Sequence, residues 1–101
     1  MNKIVTICGS MKFQKQMMEI AQKLELEEKC VVIQCVYFDK DKVLTSQEIA
    51  ALSELHYRKI DISDAIYVVN VGNYIGESTQ KEIAYARSLN KEVLFLETIN
   101  K

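Results

Sequence analysis

The residues best suited to chemistry lie in one stretch, Asn70-Val71-Gly72-Asn73-Tyr74-Ile75-Gly76-Glu77-Ser78-Thr79-Gln80-Lys81-Glu82. An apolar run from Ala65 to Val71 feeds a loop that carries two of the chain's three glycines, Gly72 and Gly76. A helical pattern takes over at Ser78 or Thr79. A buried strand, a glycine turn and a helix N-terminus together make an anion site, because unpaired backbone N–H groups face outward and the helix dipole adds partial positive charge. Glu82 falls in the first turn expected for that helix, where a carboxylate faces whatever the loop holds. The same spacing has a plainer reading: Thr79-Gln80-Lys81-Glu82 fits the S/T-x-x-E capping box, in which the glutamate only satisfies the N-cap amide.

Gly9-Ser10 forms a second corner of this kind. It follows the apolar, β-branched run Ile4 to Cys8, and Ser10 is a natural N-cap. His56 lies one turn beyond Leu52 and one before Ile60, at the margin of an apolar helix face, and reads as a boundary residue without a second ligand or a neighbouring nucleophile. Asp61 and Asp64 flank the start of the Ala65 run, away from the carboxyl end of the strand, so turn chemistry is their expected role. The three cysteines, Cys8, Cys30 and Cys35, show no C-x-x-C spacing and share the chain with a single histidine. Neither a metal site nor a disulfide framework follows from them, and three reduced thiols in a cytoplasmic core is the expectation.

The elements that must position these residues alternate. Strands are expected at Ile4 to Cys8, Cys30 to Tyr37, Ala65 to Val71 and Val93 to Leu96. The first helix opens at Ser10 and places Phe13, Met17, Ile20, Ala21 and Leu24 on one face. The second opens at the capping box Thr45-Ser46-Gln47-Glu48 and turns Ile49, Leu52, Leu55 and Ile60 inward. The third runs from Thr79 to Leu89, buries Ile83, Ala86 and Leu89, and stops at Asn90. Phe38 to Val43 reads as a mobile surface loop, and the last five residues as a fraying end. Apolar β-branched strands alternating with helices predict an α/β, Rossmann-like three-layer domain over residues 1–101, with a four-stranded parallel sheet of order 2-1-3-4. Ligands of such sheets bind beyond the carboxyl ends of the strands, at the switch point between the first and third, where both glycine corners converge.

Composition sets limits. In 101 residues, 13 Lys plus Arg nearly balance 14 Asp plus Glu, with no long basic cluster, so a duplex nucleic-acid surface is not expected. No run approaches the ~20 apolar residues of a membrane span, and the N-terminal run is too short for a signal peptide. The dinucleotide and P-loop glycine patterns are missing, so neither NAD nor ATP is indicated and no cofactor is expected.

Cys8-Gly9-Ser10-Met11-Lys12 resembles the C-G-S-x-[RK] opening of deoxynucleoside 5′-monophosphate N-hydrolases. Ser63-Asp64-Ala65-Ile66-Tyr67-Val68-Val69, followed by a loop and Glu82-Ile83-Ala84-Tyr85-Ala86, is similar to the A-D-x-x-x-V…E-[IL]-G-x-A signature of the wider nucleoside 2-deoxyribosyltransferase superfamily. The likeness runs in order from Ile4 to Leu96 and is strongest to small bacterial and phage-type members. Ala84 replaces the glycine of that signature, and Thr6 stands where the N-hydrolases carry tyrosine. The resemblance implies that Glu82 attacks the anomeric carbon of a nucleoside sugar while the base departs. It implies that Gly9, Ser10, Lys12, Ser78 and Thr79 line the phosphate or sugar pocket, with Tyr74 and Gly76 beside them. A homodimer and a nucleoside or nucleotide ligand are the expected partners. A non-catalytic nucleotide-binding module with Glu82 as a cap is the alternative.

Overall fold

The computed structural model of the chain describes residues 2–39 and 41–98. Four strands, β1 (Ile4–Cys8), β2 (Val31–Ile33), β3 (Ala65–Val68) and β4 (Glu92–Phe95), form one parallel sheet in the order β2-β1-β3-β4. Helices α1 (Gln14–Leu26), α2 (Ser46–Asp61) and α3 (Glu77–Ser88) connect them. The expected α/β architecture and strand order are both observed.

The two-residue period of a strand sorts the core into two layers. Val5 and Ile7 of β1 pack with Met17, Ala21 and Leu24 of α1. Thr6 and Cys8 point the other way, and Cys8 joins Ile60 of α2, Ile66 and Val68 of β3, and Ile83 and Ala86 of α3. This alternation aims the last side chain of β1 at the α2–α3 layer. Thr6, buried on that side, is satisfied by the Ser63 hydroxyl at 2.6 Å and the Lys59 carbonyl at 3.2 Å.

Several local expectations are corrected. The second strand is three residues long rather than eight, because the chain leaves the sheet after Ile33. The Gln34 carbonyl accepts from Lys59 Nζ at 2.8 Å, and Cys35 and Tyr37 pack on the α1-side core without strand pairing. The third strand ends at Val68, and Val71–Asn73 forms a 3₁₀ turn with Gly72 and Asn73 at φ 63° and 62°. Ser10 caps a 3₁₀ turn, Met11–Phe13, ahead of α1, through a long 3.4 Å contact with the Lys12 amide.

In α2 the capping box at Thr45 and Glu48 forms as expected, but Ile49 and Leu55 are exposed. The buried stripe is instead half-buried Leu52, His56 and Ile60, four residues apart. Asp64 accepts from the Ile4 amide at 2.8 Å, and Asp61 accepts from the Tyr85 hydroxyl and pairs with Arg58 at 3.0 Å, so both act structurally. Leu89 is exposed beyond the end of α3, which Asn90 terminates at φ 59°. Of the tail expected to fray, Glu97 is held: its amide donates to Asn70 Oδ1 at 2.9 Å and its carboxylate accepts from the Gly72 amide at 2.7 Å. Residues 99–101 of that tail, and Lys40 of the loop expected to be mobile, lie outside the described residues.

Candidate functional site

Helix α3 begins at Glu77, with Gly76 as N-cap and no side-chain cap bond. This start lies earlier than the sequence pattern suggests, for a local reason. The Gln80 amide closes the first helical turn on the Gly76 carbonyl at 2.9 Å, and the Gln80 side chain bonds the Ile75 carbonyl at 3.0 Å. Thr79 is therefore inside the helix and buried. The capping box between Thr79 and Glu82 does not form, and Glu82 sits in the second turn rather than the first.

Freed from a capping role, the Glu82 carboxylate turns inward onto the end of β1. Three side chains from three elements meet there. Cys8 Sγ lies 3.3 Å from His56 Nε2, and His56 Nε2 lies 3.6 Å from Glu82 Oε1. The three donor atoms are all within 4.8 Å of one another. Cys8 is fully buried, and the side chains of His56 and Glu82 are only 10% and 14% exposed. His56 was expected at a boundary and is instead the centre of this cluster. Its signal in the sequence was a polar residue at the middle of an i, i+4, i+8 apolar stripe.

Burial dominates the electrostatics, because a low-dielectric setting disfavours every charged form. It pushes the Glu82 carboxyl up to about 7, opposed by a contact with Cys8. It pulls His56 down to about 4, helped by the positive charge of Lys59. The Cys8 thiol is driven well above its usual range by burial and then by the neighbouring Glu82. Between about pH 4 and 7 the two groups together therefore hold one proton.

The remaining residues singled out in the sequence fall into two groups. Lys12, Tyr74 and Phe13 bring the two glycine corners into contact. The Lys12 ammonium lies 3.5 Å from the Tyr74 ring centroid, and Tyr74 meets Phe13 edge to face at 6.0 Å. Lys12, Tyr74 and Ser78 are exposed, and Ser10 is half-buried. Gly9 has a local packing reason to be glycine, and Gly76 has none of that kind. A Cβ on Gly9 would lie 2.9 Å from Met17 Sδ and 3.3 Å from the Val69 carbonyl oxygen, whereas one on Gly76 would meet the Tyr74 ring at ordinary contact distance. Beyond β2, a cleft of about 370 Å³ is lined by Gln14, Tyr37, Phe38, Asp39 and Lys42. The Tyr37 hydroxyl is buried there without a hydrogen-bond partner among the described residues. No helix among the described residues is long and apolar enough to cross a membrane.

Neither a protein-family model nor a curated protein matches the chain. Solved structures do, and one of them is the crystal structure of a conserved protein from Enterococcus faecalis V583. It matches with a TM-score of 0.67 at 17% identity, over 97% of this chain and 65% of that one. The chain therefore spans somewhat less than two thirds of that neighbour's length, and the likeness is one of fold.

Proposed function

We propose that the chain binds a nucleoside or nucleotide and cleaves or transfers at its N-glycosidic bond, with Glu82 as the nucleophile. The observation that carries this reading is the position of the Glu82 carboxylate, which is not spent on a helix cap. It is held largely out of solvent at the carboxyl end of β1, beside the β1–β3 switch point where ligands of parallel sheets bind. The resemblance in sequence to the nucleoside 2-deoxyribosyltransferase superfamily supports the same assignment.

The chemistry is a double displacement. The carboxylate attacks the anomeric carbon, the bond to the base breaks, and a glycosyl ester forms through an oxocarbenium-like transition state. Water then releases the sugar, or a second base accepts it. His56, 3.6 Å from the carboxylate, is the neighbouring group able to carry the proton that the departing base requires. Lys12 and Ser10 at one corner, and the α3 amides of Ser78 and Thr79 at the other, suit a phosphate. Gly9, Tyr74 and Gly76 shape the walls between them.

Incubation with a panel of nucleosides and deoxynucleoside monophosphates, with free base read by chromatography, tests this reading. Binding without base release favours the non-catalytic module. A homodimer belongs to the same proposal, since Ile49, Leu52 and Leu55 form a three-residue-spaced ridge along α2 whose first and last members are exposed.

A further inference from the structure

We infer that Cys8, His56 and Glu82 form a binding site for one zinc-class divalent cation. The three donors differ in kind (sulfur, nitrogen and oxygen), and this is the mixture that such ions take in four-coordinate sites. The separations of two of the three donor pairs agree. Bond lengths of about 2.3 Å to sulfur and about 2.0–2.2 Å to nitrogen and oxygen, at tetrahedral angles, require donor atoms roughly 3.3–3.6 Å apart. Sγ to Nε2 is 3.3 Å and Nε2 to Oε1 is 3.6 Å, with all three atoms inside 4.8 Å.

The charges agree as well. A thiolate and a carboxylate neutralise a divalent ion, so the filled site carries no net charge into its buried surroundings. The nearby Lys59 ammonium is engaged by the Gln34 carbonyl at 2.8 Å. The ligands come from β1, α2 and α3, which are fixed by one core cluster, so the site exists only in the folded chain. Three protein ligands leave a fourth position for water or a ligand atom.

The site stands without the nucleophile reading, but one consequence rests on it. An ion that takes the Glu82 carboxylate leaves no free nucleophile, so metal and base release exclude each other. Base release is then inhibited by zinc and restored by a chelator.

Cobalt(II) titration of the reduced, chelator-stripped full chain is the test, because thiolate-to-cobalt charge transfer reports sulfur ligation directly and needs no turnover. One equivalent should bind with that absorption band, and zinc should displace it. The band should survive in the Cys30→Ser, Cys35→Ser double variant and vanish in Cys8→Ser. Glu82→Gln, which retains the thiol, should weaken zinc by more than the roughly 10–100-fold that loss of an outer-shell partner costs. Absence of the band in the wild-type chain overturns the site, as does its persistence in folded Cys8→Ser or unchanged zinc affinity in Glu82→Gln. Any of these failures leaves the test of base release untouched.

Discussion

The Glu82–His56 pair makes a specific prediction about stability and pH in metal-free protein. In the unfolded chain a glutamate titrates near 4.3 and a histidine near 6.5, so the two together hold about one proton between those values. In the fold, burial sets the carboxyl at about 7 and the imidazole at about 4, and the pair again holds one proton over that range. At 3.6 Å and an effective dielectric near 20, an ion pair gains roughly 4–5 kcal/mol, comparable to the cost of charging both groups, so the proton resides on either partner without changing the count. Equal proton counts in folded and unfolded states mean no slope of stability with pH from this pair between about 4.5 and 6.5.

Glu82→Gln removes the compensation. His56 alone, depressed from 6.5 to about 4, contributes stability that is present above 6.5 and lost as pH falls through 4. At about 1.4 kcal/mol per pH unit, the variant should lose about 3 kcal/mol relative to wild type between pH 7 and 4. His56→Gln should behave inversely. Glu82 alone, raised to about 7, contributes stability that is full below pH 4 and lost as pH rises to 7. Urea unfolding at half-unit pH intervals with chelator present measures all three. Parallel profiles for wild type and both variants would refute the buried, proton-sharing pair.

Two further outcomes follow from packing. Gly9→Ala forces a methyl group against Met17 Sδ at 2.9 Å and the Val69 carbonyl at 3.3 Å, and overpacking outweighs the smaller gain from a stiffer unfolded chain, so a net loss of about 1–2 kcal/mol is expected. A urea midpoint equal to wild type would contradict it. Sedimentation at micromolar concentration should give a dimer for the wild-type chain and a folded monomer for an Ile49→Glu, Leu55→Glu double variant. A monomeric wild type would remove the proposed α2 interface.

The sheet was legible because its signals are redundant. Four apolar, β-branched runs, glycines beyond the first and third of them and helical periodicity between them all point to one topology, and right-handed crossovers fix the order. The candidate site was legible only in part. Glu82 was visible, but Thr79 at capping-box spacing pointed to a helix start that Gly76 takes instead. Backbone geometry at Gly76 and the Gln80 contacts decide that competition, and spacing alone does not carry them. His56 and Cys8 were hidden for a different reason. Each sits at an apolar position of its own element, and only the pairing of strand alternation with the α2 stripe brings them 3.3 Å apart across 48 residues of sequence. The exposure of Ile49 and Leu55 was equally invisible, since periodicity finds an apolar face but not how far the core beneath it extends.

Base release by the Glu82→Gln variant decides whether Glu82 performs the displacement. The wild-type chain and the variant are incubated in chelator with the deoxynucleoside monophosphate that the wild type turns over, and free base and ligand affinity are both measured. An amide is isosteric with the carboxylate but does not attack the anomeric carbon, so undiminished binding and no base release above background are expected. A Gln variant that releases base at the wild-type rate, or a wild-type chain that binds every substrate in the panel and cleaves none, would contradict that role.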